Sequence, residues 1–249
     1  MRFGVLSDVH GNLHALRAVV AALDGHGVDG YLCTGDLVGY GPHPDACVEL
    51  VAELGAHCVA GNHDLHAVGA LDDGRAGVLA RQTLAWTREV MSGATRAFLA
   101  ALPLTRTVDG LLLAHGSPTD PQEYVRTEER AWQVLDDVTE PRVQGVLLGH
   151  THHQWAVVAA RPGELLRRRT GRVDLPAGAR YLLNPGSVGQ SRDGDTLARY
   201  LVLDTAARSA AFHAVGYDIA GCRAALRRAG LPVRGIDATD RSLRELARG

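Results

Sequence analysis

The chain is organised around the four residues Gly61-Asn62-His63-Asp64. This stretch places an amide oxygen, an imidazole and a carboxylate at three adjacent positions after a glycine. The preceding run, residues 57–60, predicts a buried strand. The four residues then lie in a loop past the carboxyl end of that strand, where open α/β sheets place their sites. Asn-His-Asp is expected by chance about 0.01 times at this composition. Taken alone, the motif is equally compatible with a helix-capping Asn beside a solvated His-Asp pair.

The composition is that of an ordinary globular protein. The chain has 249 residues, of which 46% are hydrophobic and 22% charged, and we expect one domain over residues 1–249. A net charge of −2 gives no general attraction to nucleic acid or to a membrane. The four cysteines form no zinc or CxxC motif. The first apolar run is too short for a signal peptide, so we expect a cytoplasmic protein.

Two further predicted strands end in polar residues. Residues 3–6 lead into Ser7-Asp8-Val9-His10-Gly11-Asn12, with Asn12 as the N-cap of a helix over residues 13–23. Asp8 and His10 are two positions apart, so in extended backbone both side chains point the same way. Residues 31–34 form the second strand and lead into Gly35-Asp36 and a glycine-rich loop. A helix is predicted over residues 44–54.

The middle of the chain adds two more such strand ends. Residues 65–107 are mostly helical in pattern, with helices over residues 75–90 and 94–102 and His66 expected at the surface. The strand at 111–114 ends at His115, and the strand at 145–148 ends at His150-Thr151-His152. Residues 117–141, with one helix at 128–138, are expected to leave the core as a lid-like excursion that borders the site.

The last part of the chain predicts hairpins and helices. Residues 155–159 and 165–173 form a hairpin that carries Arg167, Arg168, Arg169 and Arg172. These arginines form either a phosphate-binding patch or, as we favour, a solvated face. The strand at 181–183 ends at Asn184-Pro185-Gly186-Ser187. A second hairpin over 199–204 and 209–216 follows, and then helices at 219–229 and 241–247.

Five strand ends therefore carry metal-ligand side chains: Asp8 with His10, Asp36, Asn62 with His63, His115, and His150 with His152. Carboxylate, imidazole and amide oxygen suit Mn²⁺, Fe or Zn²⁺ better than Ca²⁺ or Mg²⁺. The ligands are too numerous for one ion, and a carboxylate between histidines can bridge two.

These motifs, in this order over residues 1 to about 190, resemble the calcineurin-like metallophosphoesterases. The resemblance implies an α/β fold: a four-layer α-β-β-α sandwich with two mixed sheets and a dinuclear metal site at the strand carboxyl ends. It implies two ions, with Mn²⁺ favoured. Matched motif by motif, the first ion is held by Asp8, His10 and His152, the second by Asn62, His115 and His150, and both by Asp36. His63 faces the substrate, and Asp64 orients the His63 tautomer.

The implied reaction needs no protein nucleophile. Two cations about 3.5–4 Å apart lower the pKa of a bridging water, and the resulting hydroxide attacks phosphorus. His63 hydrogen-bonds the phosphate or protonates the leaving oxygen.

The substrate expectation rests on a departure from one branch of the superfamily. Serine/threonine protein phosphatases carry an Asp-Arg pair after the loop of the bridging aspartate, and here the loop reads Asp36-Leu37-Val38. The loops resemble instead the small prokaryotic phosphodiesterase branch, with small nucleotide-like diesters such as cyclic nucleotides as substrates. Asn12, Tyr40 and Tyr124 are the expected substrate contacts, although either tyrosine fits a packing role as well. The alternatives are a phosphomonoesterase, including a phosphoprotein phosphatase, and a non-catalytic scaffold of the same fold.

Overall fold

The computed structural model describes residues 1–161, 164–168, 171–192 and 194–235. The helix expected at 241–247 lies outside the described residues, as does Arg169 of the arginine-rich hairpin. Within the described ranges, no helix is long and apolar enough to cross a membrane.

Two mixed six-stranded sheets form the centre of the fold. The first has the order β3-β2-β1-β11-β12-β9, built from β1 (Arg2–Leu6), β2 (Gly30–Cys33), β3 (His57–Cys58), β9 (Gly171–Asp174), β11 (Ala198–Asp204) and β12 (Ser209–Val215). Strands β1, β2 and β3 are parallel, and β11 pairs antiparallel with β1. The parallel strands end at one edge and carry the first three ligand loops to it.

The second sheet has the order β4-β5-β6-β10-β7-β8, built from β4 (Arg106–Val108), β5 (Leu111–Leu113), β6 (Gly145–Leu147), β7 (Gln154–Arg161), β8 (Glu164–Arg168) and β10 (Arg180–Pro185). Strands β5, β6 and β10 are parallel. The carboxyl ends of β5 and β6 lead into His115 and His150, and β10 carries Asn184 near its own carboxyl end. The two sheets therefore deliver their polar loops to a shared end of the sandwich.

Helices cover the outer faces of both sheets. They are α1 (Leu13–His26), α2 (Pro44–Glu53), α3 (Asn62–Val68), α4 (Val78–Val90), α5 (Gly93–Ala100), α6 (Glu128–Asp137) and α7 (Ile219–Arg228). Strand alternation shows the layers, because Phe3 and Val5 pack between the sheets whereas Leu6 packs toward the α1 side. In β5, Leu111 and Leu113 point between the sheets, and Leu112 points toward α6. This is the predicted four-layer α-β-β-α sandwich.

Several element predictions were wrong. Gly61-Asn62-His63-Asp64 does not form a loop, because Gly61 is the N-cap and Asn62 the first residue of α3. The strand predicted over residues 165–173 divides into β8 and β9, which belong to different sheets. Strand β4, adjacent to β5, was not predicted.

The excursion predicted over residues 117–141 was only partly correct. Its helix α6 buries Ala131, Val134 and Leu135 against the second sheet, so this half is the fourth layer of the sandwich. The surface position expected for His66 was also wrong. Its side chain is fully buried, and Nδ1 lies 3.1 Å from the carbonyl oxygen of Leu71.

Candidate metal centre

The strand ends bring six of the predicted ligands, together with His63, into three overlapping buried groups. These are Asp8 with His10 and His152, His10 with Asp36 and His63, and Asp36 with His115 and His150. Within each group the candidate ligand atoms lie within 4.8 Å of one another. Because adjacent groups share His10 or Asp36, the site is one continuous cluster.

The backbone places these side chains differently from the extended geometry that we expected. Asp8 and His10 have φ values of 53° and 50°, and His150 and His152 have 63° and 60°. The left-handed region costs L-residues about 1–2 kcal/mol each and is rarely adopted outside functional sites. Loop-to-loop bonds hold the first pair there, since the amides of Asp8 and His10 donate to the carbonyls of Gly35 and Asp36, both at 2.9 Å.

Backbone carbonyls fix the orientation of the imidazoles. Nδ1 of His10 lies 3.2 Å from the carbonyl oxygen of Val38, and Nδ1 of His152 lies 2.6 Å from that of Gln190. Nδ1 of His115 lies 2.7 Å from the carbonyl oxygen of Thr34. A carbonyl oxygen can only accept, so each of these Nδ1 atoms carries a proton, and in the neutral ring Nε2 presents a lone pair.

The Nε2 lone pairs of these histidines face other hydrogen-bond acceptors. Nε2 of His10 and Nε2 of His152 are 3.1 Å apart. Nε2 of His115 lies 3.1 Å from Oδ1 of Asn62 and 3.2 Å from Oδ2 of Asp36. Acceptors at such distances repel unless a positive charge lies among them, so this donor set fits metal ions.

His150 uses the opposite ring nitrogen. Its Nε2 lies 3.2 Å from the carbonyl oxygen of Gln122. Nδ1 is therefore the atom available to the group with Asp36 and His115.

Asp36 occupies the position between the two halves of the cluster. Its Oδ2 lies 3.6 Å from Nε2 of His10 and 3.2 Å from Nε2 of His115. Its Oδ1 accepts the backbone N–H of His63 at 2.8 Å. A Cβ on Gly61 would lie only 2.1 Å from this Oδ1, which explains why glycine precedes Asn62.

Without a cation, a proton on His115 offsets the charge of the carboxylates. Burial lowers the pKa of His115, but Asp36 and Asp8 raise it to about 10. Burial favours the neutral form of Asp8, yet His152 and His115 hold its pKa below the ordinary value. The cluster thus has a strong demand for positive charge.

Asp64 does not orient His63, contrary to our expectation. Its carboxylate accepts backbone N–H groups from Asp36, Leu37, Val38 and Gly61 at 2.8–3.2 Å. Both oxygens are occupied in holding the Asp36 loop against the start of α3. Its place in the motif is therefore explained by backbone anchoring.

His63 lies against the cluster with one ring nitrogen unused. Within the described residues, its buried Nδ1 has no hydrogen-bond partner. The ring centroid is 4.7 Å from those of both His10 and Tyr40. Burial lowers the pKa of His63 to about 4, so the ring is neutral near pH 7 in the free protein.

A cavity of about 150 Å³ opens beside the cluster. Four candidate ligands and His63 line it, and the rest of its wall includes Tyr40, Arg75, Gln122, Tyr124 and Arg192. The four ligands are Asp36, Asn62, His150 and His152. Gln122 and Tyr124 belong to residues 117–141, so the start of this segment borders the site as we expected. Tyr40 is in the expected place beside the cavity.

Asn12 was wrongly expected to contact substrate. Its side chain is fully buried, with Oδ1 accepting from the amide of Ala15 at 3.1 Å and from Sγ of Cys222 at 3.3 Å. Its Nδ2 donates to the carbonyl of Gly189. Asn12 therefore caps α1, as also predicted, and anchors a loop.

Tyr124 lies at the mouth, but its ring is already stacked. The centroid is 4.0 Å from that of His150 and 4.1 Å from the guanidinium carbon of Arg126. The ring therefore already packs against two protein groups. This arrangement favours the packing role over the stacking of a nucleobase.

Sequence reasoning missed the loop after β10 as a structural part of the site. Asn184 donates to the carbonyl of Gly149 at 2.6 Å, and Ser187 donates to the carbonyl of Asp8 at 2.8 Å. This loop ties the two ligand-bearing regions together and then delivers Arg192 to the cavity wall. The Asn184-Pro185-Gly186-Ser187 motif was noticed, but nothing in its spacing indicated an arginine in the site.

Comparison with known proteins identifies the class. The calcineurin-like phosphoesterase superfamily domain matches residues 1–208. The chain is 35% identical over 224 residues to an uncharacterized protein of Methanocaldococcus jannaschii, covering 86% of this chain and 87% of that protein. The chain therefore belongs to the calcineurin-like phosphoesterase superfamily, which implies a metal-dependent phosphoester hydrolase.

Solved structures agree with this assignment. A metallophosphoesterase from Sphaerobacter thermophilus is 35% identical, with a TM-score of 0.80 and coverage of 95% of this chain and 96% of that one. A hypothetical protein from Pyrococcus horikoshii OT3, at 18% identity and a TM-score of 0.73, covers 94% and 96% and shows the same fold.

Proposed function

We propose that the protein hydrolyses phosphodiester bonds of small nucleotide-like substrates, such as cyclic nucleotides, with two divalent transition-metal ions. The observation that carries the proposal is the buried cluster of acceptors in two halves that share Asp36. Mn²⁺ is favoured for its fit to mixed imidazole and oxygen ligands, with Fe and Zn²⁺ as alternatives. The four free, buried cysteines support a reducing, cytoplasmic setting.

We assign the ligands to the two ions as the resemblance implies. Asp8, His10 and His152 would hold one ion, since Nε2 of His152 lies 3.2 Å from Oδ1 of Asp8. The other ion would be held by Asn62, His115 and His150. Asp36 would contact both, because its Oδ2 lies between His10 and His115.

The protein contributes positioning and a hydrogen bond. When bound, the two ions supply hydroxide near neutral pH and neutralise charge on the phosphoryl oxygens. His63 stands at the cavity as a neutral ring, so it enters as a hydrogen-bond donor to the substrate. A role as general acid requires that the bound phosphate first raise its pKa.

The proposed preference for diesters is supported by the surroundings of Asp36. The next two residues, Leu37 and Val38, place no cationic side chain there, and their amides bind Asp64. A diester carries one negative charge and needs less positive charge than a dianionic monoester. The second candidate, a phosphomonoesterase, is favoured by one observation, the guanidinium of Arg192 in the cavity wall.

The test compares two aryl substrates on protein loaded with Mn²⁺. We expect higher kcat/KM for bis(p-nitrophenyl) phosphate than for p-nitrophenyl phosphate, followed by turnover of a cyclic nucleotide. The reverse ratio would establish the phosphomonoesterase. No turnover of any phosphoester by metal-loaded protein would favour the scaffold.

A further inference from the structure

Arg192 is a second cationic group at the site, supplied by a part of the chain far from Asp36. We propose that its guanidinium binds the non-bridging oxygens of the substrate phosphoryl group and that the hydroxyl of Tyr124 holds it in place. The proposal rests on the proposed function only in that a phosphoester enters this cavity. Arg192 would then make a phosphate contact of the kind that the residues after Asp36, which include no arginine, do not provide.

The position of Arg192 is fixed by its neighbours. Its backbone N–H donates to the carbonyl of His152 at 3.3 Å, which joins it to a candidate metal ligand. Its side chain lines the same cavity as Asp36 and His63. The guanidinium therefore stands beside the place where the phosphoryl group must sit to reach the ions.

The hydrogen-bond partner of the Arg192 guanidinium is neutral. The guanidinium donates to Oε1 of Gln190 at 3.4 Å. Within the described residues, no carboxylate lies within ion-pair distance of Arg192. Arginine has five N–H donors in a planar fork, and the contact with Gln190 does not use them all.

The half-buried positive charge of Arg192 needs a negatively charged partner from the cavity. A cation removed from water without a counter-charge is unfavourable, and a bound anion relieves this cost. Asp8 stabilises the charged form of Arg192 electrostatically, but no contact between them is formed. Two parallel bonds from guanidinium to phosphate are a preferred geometry, so the expected ligand is a phosphoryl group.

Tyr124 is placed to hold this arginine. Its ring lies against His150 and Arg126, and it lines the same cavity as Arg192. A hydrogen bond from Arg192 to the Tyr124 hydroxyl would connect residues 117–141 to the loop after β10 across the mouth of the cavity. Tyr124→Phe removes the hydroxyl and keeps the ring.

Arg75 is the matched control. It lines the same cavity, but its side chain is 62% exposed and already pairs with Asp120 at 3.1 Å. Its charge is solvated and compensated, so Arg75→Gln should change phosphate binding by less than about 3-fold.

The experiment measures inorganic phosphate binding to Mn²⁺-loaded protein by calorimetry, with metal content determined in parallel. We expect Arg192→Gln to bind phosphate about 10- to 100-fold more weakly with both ions retained, the range for a hydrogen bond to a charged group. Tyr124→Phe should weaken binding by a few-fold. Unchanged binding in Arg192→Gln, an equal loss in Arg75→Gln, or loss of metal from Arg192→Gln would overturn the proposal.

Kinetics separate this proposal from the proposed function. Arg192→Gln should lose more kcat/KM on dianionic p-nitrophenyl phosphate than on the monoanionic diester. An equal loss on both would contradict a contact that responds to phosphoryl charge. If wild type hydrolyses neither substrate but Arg192→Gln alone loses phosphate binding, the proposed function fails and the phosphate contact stands.

Discussion

His10 and His152 face each other with Nε2 atoms 3.1 Å apart, and both rings turn Nδ1 outward to a backbone carbonyl. Two lone pairs at this distance repel, so the folded chain holds an arrangement that only a cation or a proton relieves. The fold therefore builds the site in advance of its ligand.

Metal binding should stabilise the protein strongly. At 100 times the dissociation constant, one ion adds about 2.7 kcal/mol to the free energy of unfolding. For a chain of this size we expect Mn²⁺ to raise Tm by roughly 5–10 °C over chelator-treated protein, measured by thermal unfolding. His152→Ala should show a clearly smaller shift. An equal shift in that variant would place the stabilising ion elsewhere.

Asp64→Asn should destabilise the fold as well as the site. The carboxylate accepts four backbone N–H groups, and an amide replaces one acceptor oxygen by a donor that opposes them. We expect a loss of about 3 kcal/mol in the free energy of unfolding, measured by urea denaturation. Asp174→Asn, at a site where the side chain is 88% exposed, is the control and should be neutral. Normal stability of Asp64→Asn with reduced turnover would instead support a catalytic role.

The strand ends could be predicted from the sequence because each strand end is marked by a local sequence pattern. Apolar runs followed by polar residues identified the ends of β1, β2, β5 and β6, and the parallel arrangement brings such ends together. The left-handed backbone at Asp8 and His10 was not predictable, since loop-to-loop hydrogen bonds impose it. The same holds for Arg192, whose place depends on how the loop after β10 packs against His152.

Gly39→Ala should impair His63 without touching a ligand. A Cβ on Gly39 would lie 2.3 Å from Nδ1 of His63, and φ at Gly39 is +87°. The ring has to move, so kcat should fall by at least about 10-fold while elemental analysis shows unchanged metal. Gly27→Ala carries similar backbone strain, with φ +61° and open space, and should keep its activity. Equal losses in the two variants would attribute the effect to strain.

The residues assigned wrongly were those whose sequence context is compatible with more than one role. Asn12 fits both a helix cap and a substrate contact in sequence, and only its full burial against Gly189 and Cys222 decides. Tyr124 has an exposed side chain, as a stacking residue requires, but His150 and Arg126 pack against its ring. The roles of these residues depend on side-chain packing between distant segments, which cannot be predicted from sequence periodicity.

His63→Ala should retain both ions and lose turnover by about 10²–10⁴-fold. If His63 supplies a proton to the leaving oxygen, the loss is larger on a cyclic nucleotide, whose alkoxide leaves poorly, than on an aryl diester. An equal loss on both substrates indicates that His63 donates a hydrogen bond to the phosphoryl group in the transition state. Its neutral ring in the free protein favours this second outcome. Loss of an ion would show that His63 is itself a ligand.

Titrating chelator-treated protein with Mn²⁺ while following hydrolysis of bis(p-nitrophenyl) phosphate tests whether the site is dinuclear and bridged by Asp36. We predict no activity without metal and a rise to a plateau at two ions per chain. Asp36→Ala should stay at least about 10²-fold below wild type at every Mn²⁺ concentration, because Oδ2 of Asp36 lies between His10 and His115. A plateau at one ion, full activity after chelation, or normal activity of Asp36→Ala would contradict a dinuclear site bridged by Asp36.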